Sequence, residues 1–148
     1  MAGVIVSIDR RRVGYTLPPF SLTVDSARLE QFAQAIGERN PRLAGAIAPP
    51  TFMKVLEGEN NSSRAILAAL DVDLSRVLHA EQHFDYMAPI RAGDCLTIER
   101  RVSEIYEKKG GAMEFIVIDT TFAGPAGQPV GCSRQIVLVR NSASKVAA

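Results

Sequence analysis

The sequence predicts an α+β domain in which one long, curled antiparallel sheet wraps around a buried helix. Three observations carry the prediction. Hydrophobic periodicity changes from about 3.6 to 2 residues near Val77. Four runs of roughly 10–12 residues follow that change, which is long for strands. Ahead of them lies Phe52-Met53-Lys54-Val55-Leu56, apolar on nearly every side except Lys54. A helix greasy most of the way round is a buried helix.

The first helix is expected over residues 25–37. Leu29, Phe32, Ala33 and Ile36 recur at i, i+3, i+4 and i+7 as one apolar stripe, with Asp25 as N-cap and Gly37 as stop. The buried helix starts after Pro49-Pro50 with Thr51 as its cap. Gly58 and Asn60-Asn61 interrupt it, and residues 63–70 read as a short further helix. From Leu78 to Tyr86 the even positions form one, mostly apolar, face of a strand, and His79, Glu81, His83 and Asp85 the other. Residues 95–107, 113–122 and 130–140 supply the remaining strands, joined by hairpin turns at Gly110-Gly111 and at Gly124-Pro125-Ala126-Gly127. Strands this long must twist and curl. The economical arrangement wraps them around the apolar helix that precedes them, which is the hot-dog architecture. A single such domain is expected over residues 1–140, with residues 141–148 as a disordered tail.

Composition narrows the function classes. At 148 residues, with 47% apolar and 22% charged residues, the chain has ordinary globular values. A net charge of +1, few aromatics and no tryptophan leave neither a basic footprint nor a stacking platform for nucleic acid. Cys95 and Cys132 lack metal-site spacing and read as small buried hydrophobes in a reducing compartment. Val4-Ile5-Val6 precedes Arg10-Arg11-Arg12, the reverse of a signal peptide's polarity, and no apolar run approaches the ~20 residues that span a bilayer. A cytoplasmic protein without membrane contact is expected.

Four stretches taken in order carry a family resemblance. They are Phe32-Ala33-Gln34-Ala35-Ile36-Gly37-Glu38-Arg39-Asn40-Pro41, Ala48-Pro49-Pro50-Thr51-Phe52, Phe84-Asp85-Tyr86-Met87-Ala88-Pro89-Ile90-Arg91-Ala92-Gly93-Asp94, and Tyr106-Glu107-Lys108-Lys109-Gly110-Gly111. Over roughly residues 14–140 the chain resembles the MaoC-like acyl-CoA dehydratase superfamily. The likeness is greater to its N-terminal-type hot-dog halves, as in fungal-type fatty-acid-synthase dehydratase domains and the non-catalytic subunits of mycobacterial hydroxyacyl dehydratases.

The resemblance implies a chemistry. Catalytic members are similar to one another in a Gly-Asp-x-Asn-Pro-x-His motif after the first long helix. Hydration of a trans-2-enoyl thioester needs one group to activate water and one to deliver a proton. An Asp and a His held together share these tasks, each contributing about 10²–10⁴-fold. The thioester oxygen is polarised by an N–H at the start of the buried helix. Here Gly37, Asn40 and Pro41 match the motif, but Glu38 stands at the Asp position and Leu43 at the His position. Leucine cannot transfer a proton. Pro49 and Pro50 have no N–H to donate, so an oxyanion donor must come from Thr51 or Phe52.

The resemblance therefore implies one half of an (R)-type 3-hydroxyacyl-CoA dehydratase or trans-2-enoyl-CoA hydratase. This half lacks the catalytic pair and acts on an acyl-CoA thioester beside a second hot-dog subunit, in a hetero- or homo-oligomer, with no cofactor and no metal. Glu38 is the one candidate for a surviving catalytic group. Asn40, Thr51, Phe52, Met53, Leu56 and Phe32 are the candidate substrate-binding residues. The four apolar ones read first as ordinary core beneath the sheet, with the lining of an acyl-chain tunnel as the functional alternative. Alternatives from other classes are a non-enzymatic acyl-CoA or lipid-binding homodimer, and a thioesterase-like enzyme using Glu38. His79, Glu81, His83 and Asp85 on one strand face offer a weak metal-site pattern. Arg10–Arg12, Arg100 and Arg101 read as solvated charges, with CoA phosphates as the functional alternative.

Overall fold

The structure, a computed structural model, describes residues 7–141. Five strands form one antiparallel sheet: β1 (Phe20–Thr23), β2 (Val77–Tyr86), β3 (Cys95–Lys108), β4 (Met113–Ala123) and β5 (Pro129–Arg140). Their spatial order is β1-β3-β4-β5-β2, so β2 is a ten-residue edge strand. Helices α1 (Ser26–Ala35), α2 (Phe52–Glu57) and α3 (Ser62–Ala69) precede β2 and pack on one face of the sheet.

Local chemistry accounts for most of the boundaries. Asp25 accepts the Ala27 N–H at the start of α1. At its end the Glu38 N–H bonds to the Ala33 carbonyl at 2.8 Å and the Gly37 N–H to that of Gln34 at 3.2 Å. Gly37 has φ +79°, so this is the reversed double bond that a left-handed glycine permits. The cap ends α1 at Ala35, two residues before the expected end. Ile36 consequently leaves the apolar stripe and is 52% exposed. Thr51 precedes α2 but makes no side-chain capping bond. The turn from β3 to β4 places Lys109, Gly110 and Gly111 all at positive φ.

β1 was absent from the sequence expectation. Its four residues pair with Cys95–Ile98 along the opposite sheet edge. In β2 the pairing with β5 shifts between His79 and Glu81. This bulge reverses the alternation. His79 pairs with inward Val137, while Glu81, His83 and Asp85 pair with Ile136, Arg134 and Cys132 on the opposite face. The four polar residues therefore do not share a face, and Leu78 is 45% exposed. The cysteines also differ from expectation: Cys95 is exposed and Cys132 half-buried, at outward positions. Asn141, the first residue of the expected tail, is buried and donates to the Gly111 carbonyl. Residues 142–148 lie outside the described residues.

The core has two apolar clusters. One joins α3 residues Ile66 and Leu67 to Val102, Ile116, Ile118, Val137 and Val139. The other joins Leu29 of α1 and Phe52, Met53 and Leu56 of α2 to Leu96, Ile98, Ile90 and Phe122. Fully burying each such side chain contributes about 1.5–3 kcal/mol.

Candidate functional site

The segment between α1 and α2 carries the residues expected to do chemistry. Past Gly37 the chain folds into consecutive turns. Glu38 Oε1 accepts the Asn40 N–H at 2.9 Å, and Asn40 Oδ1 accepts the Arg42 N–H at 3.0 Å. Both side chains thus hold their own loop. Leu43 N–H closes back on the Asn40 carbonyl at 3.0 Å, and the leucine side chain is partly exposed. The segment is anchored where Ala48 N–H reaches the Ile90 carbonyl at 2.8 Å and Ser26 Oγ reaches the Gly45 carbonyl at 3.0 Å.

Phe52 N–H, one of the two expected oxyanion donors, bonds to the Pro49 carbonyl at 2.9 Å. Tyr86 Oη donates to the Pro50 carbonyl at 2.7 Å and accepts from the Met53 backbone. Burial pushes the Tyr86 hydroxyl up to about 12, outweighing the opposing Met53 bond. It is therefore a neutral donor at neutral pH. Tyr86 was not among the expected site residues. Its signal was available, since a half-buried tyrosine on an inward strand position needs a partner for its hydroxyl.

The structure brings four of the expected residues together. Phe52, Met53 and Leu56 are buried, and half-buried Phe32 meets Phe52 edge to face with ring centroids 5.3 Å apart. Met53 sits directly over Gly131 of β5: a Cβ there would lie 2.9 Å from Met53 Cε and 2.7 Å from the Asp85 carbonyl. Asn40 and Thr51 are exposed and lie outside this apolar cluster.

Between the two apolar clusters runs a buried polar belt that the sequence reading missed. Arg100 is fully buried, which removes it from the expected solvated charges and from any CoA phosphate. Its Nε donates to Thr120 Oγ1 at 3.0 Å and its Nη2 to Gln135 Oε1 at 2.9 Å. Its Nη1 reaches the Glu57 carbonyl at 3.2 Å and the Ser62 and Ser63 hydroxyls at 2.8 Å each. Glu57, also fully buried, accepts from Lys54 Nζ at 3.0 Å and from Ser133 Oγ. Burial pushes the Arg100 guanidinium below its ordinary value, and the Glu57 carboxylate opposes that shift. The arrangement ties the α2–α3 junction to β3, β4 and β5. Strand alternation had signalled it, because residue 100 shares a face with inward Ile98 and Val102.

The remaining charged candidates lie elsewhere. Arg10 Nη1 binds buried Glu114 at 2.8 Å, and Arg11 pairs with Asp9. On the sheet face away from the helices, a depression of about 680 Å³ is lined by residues that include Glu81, His83, Asp85, Asp119 and Arg134. There His83 Nε2 meets Glu81 Oε2 at 3.0 Å, and Arg134 grips Asp119 through two bonds of 2.8 and 3.0 Å. Among the described residues no three or more His, Cys, Asp or Glu side chains are placed to hold a metal. No helix among them is long and apolar enough to cross a membrane.

Comparison with known proteins agrees with this geometry. The family model described as the FAS1-like dehydratase domain region matches residues 11–132. A Thermobifida fusca protein of the UPF0336 group is 32% identical, with 93% of this chain and 97% of that protein covered. A Saccharopolyspora erythraea member of the same group is 29% identical, with 92% and 94% covered. Among solved structures, the Mycobacterium tuberculosis HadBC (3R-hydroxyacyl-ACP dehydratase) complex matches with TM-score 0.72 and 19% identity, over 86% of this chain and 96% of that one. The ChsH1–ChsH2 complex of the same organism matches at 0.66 and 19%, over 84% of each chain. A MaoC-like dehydratase from Phytophthora capsici matches at 0.74 and 22%, over 91% of this chain and 50% of that one. By the match of its sequence and the architecture of its sheet, the chain belongs to the FAS1-like dehydratase-domain family, on the hot-dog fold of the MaoC-like dehydratases.

Proposed function

We propose that this chain is the non-catalytic half of an (R)-type 3-hydroxyacyl-CoA dehydratase or trans-2-enoyl-CoA hydratase. A second hot-dog subunit supplies the Asp and His, and this chain contributes sheet continuation and closure of the acyl pocket. The observation that carries the reading is the state of residues 37–43. Glu38, at the acid position, accepts the Asn40 N–H through Oε1, and Leu43 occupies the imidazole position. The chain's two histidines, His79 and His83, lie on edge strand β2, each bonded to Glu81. Without an imidazole beside an acid, proton delivery to the α-carbon has no agent in this segment.

Two further features support a paired role. β2 presents ten residues with one edge unpaired, which in isolation invites pairing with another strand. The HadBC and ChsH1–ChsH2 neighbours are complexes of more than one subunit by their descriptions.

The test is hydration of crotonyl-CoA, followed by loss of enoyl absorbance. The purified chain alone is expected to be inactive. Activity is expected when it is co-expressed with a hot-dog subunit carrying an intact Gly-Asp-x-Asn-Pro-x-His segment. Robust hydration by the chain alone, abolished in Glu38→Gln, overturns the proposal. Release of free CoA thiol from an acyl-CoA by the chain alone, lost in the same variant, replaces it with thioester hydrolysis.

A further inference from the structure

We infer that the buried polar belt sets an upper limit on the length of acyl chain this subunit accepts. The inference rests on the acyl-binding role just proposed and adds a specificity-determining element to it.

The inner face of the sheet is layered. Leu96, Ile98 and Phe122 form an apolar layer beneath Phe52, Met53 and Leu56. Val102, Ile116, Ile118, Val137 and Val139 form another beneath Ile66 and Leu67. Arg100, Thr120, Ser133 and Gln135 cross between them from β3 to β5, joined by Glu57 and Ser62 from the helical layer. The belt ends toward β2 at Gln82, which pairs in register with Gln135. Both amide atoms of Gln82 are buried and have no hydrogen-bond partner among the described residues.

A hydrocarbon tail entering beside α2 meets a compartment it can open. Met53, unbranched and with three rotatable bonds, fills the space over Gly131 and can swing aside. At Glu57 the surroundings change. To advance further, methylenes must part Arg100 from its five acceptors or Glu57 from Ser133 and Lys54, and they offer nothing in exchange. Toward the edge they meet the Gln82 amide, which hydrocarbon cannot satisfy either. The six residues of α2 span roughly 9 Å, the length of an extended chain of about six to eight carbons. The ceiling therefore falls near eight carbons.

Isothermal titration of the full chain with butyryl-, hexanoyl-, octanoyl-, dodecanoyl- and palmitoyl-CoA, against CoA alone, tests this. Affinity is expected to rise with length up to octanoyl and to fall at least tenfold at dodecanoyl. Arg100→Met combined with Glu57→Leu replaces the charged groups by apolar ones of similar size, a change that buried ion pairs often tolerate. It is expected to move the break to longer chains. Gln135→Met, which removes one acceptor at nearly constant volume, gives a smaller shift in the same direction and serves if the double variant fails to fold. Affinity rising steadily through palmitoyl-CoA in the unmodified chain overturns the ceiling and leaves acyl binding standing. So does an unmoved break in a folded belt variant, since the limit then lies elsewhere. Failure to bind any acyl-CoA, alone or with the catalytic subunit, overturns the acyl-binding role itself and the ceiling with it.

Discussion

Arg100 is the residue whose neighbours matter most to its own survival in the core. An unpartnered buried charge is among the most unfavourable arrangements a protein can hold, so its five bonds to Thr120, Ser62, Ser63, Gln135 and the Glu57 carbonyl are a condition of folding. Arg100→Met alone strands the acceptors of those five bonds and removes the positive charge nearby that favours the buried Glu57 carboxylate, leaving Lys54 Nζ at 3.0 Å as its remaining cation. The expected loss is about 3–5 kcal/mol, read as a lowered midpoint in urea denaturation. Adding Glu57→Leu is expected to recover most of that loss, because both charges are then gone. A double variant no more stable than the single one contradicts this account. The chemistry of these residues was only partly legible in sequence. Alternation from Ile98 to Val102 places Arg100 inward, yet residue type argues for the surface. Only the tertiary contact with Glu57, 43 positions earlier, resolves the conflict. Glu38 and Leu43 were the reverse case: the family resemblance marks their positions as those of the Asp and His, and the structure adds that Glu38 Oε1 accepts the Asn40 N–H.

At the level of elements, β3, β4, β5 and the helices were readable because each combines a clear period with a turn or cap at its ends. What escaped was whatever depends on pairing. β1 is four residues long with two serine or threonine positions, too short and too polar to announce itself. The bulge between His79 and Glu81 leaves no mark in the alternation of residues 78–86, yet it moves His79 to the opposite face from His83. The seating of α2 on β5 is likewise a tertiary fact: Gly131 is needed because helix and strand approach closely there. Gly131→Ala places a methyl group 2.7 Å from the Asp85 carbonyl and 2.9 Å from Met53 Cε. Overpacking of this kind costs about 1–3 kcal/mol, measurable as a drop in thermal midpoint. Met53→Ala in the same chain is expected to relieve little, since the nearer obstacle is backbone. Full recovery in that double variant shows instead that Met53 alone sets the spacing.

The whole molecule is closed by a carboxylate that gathers both ends of the described chain. Glu114, buried on β4, accepts from the Ile8 N–H and Ser7 Oγ near one end, from Asn141 Nδ2 at 3.0 Å near the other, and from Arg10 at 2.8 Å. Burial alone would raise its affinity for protons, but the bonds from Asn141, Arg10, Ile8 and Ser7 together outweigh burial and hold the carboxyl below its ordinary range. Asp119 is held low in the same direction, first by its bond from Arg134, but on the half-exposed sheet face where its contribution is small. A carboxyl whose folded value is depressed binds fewer protons in the folded chain than in the unfolded one. Its stabilisation is therefore complete above the unfolded value of about 4.3 and is lost as pH falls below that value and through the folded one. Glu114→Gln removes the titrating group while keeping an acceptor for the Ile8 N–H. The unmodified chain is expected to lose stability steeply below about pH 4.3. The variant is expected to be less stable at neutral pH, because Arg10 loses its charged partner, and to lose less on acidification. Urea midpoints measured from pH 7 to pH 3 for both chains decide the matter: parallel curves across that range show that Glu114 does not govern the acid limb, and converging curves show that it does.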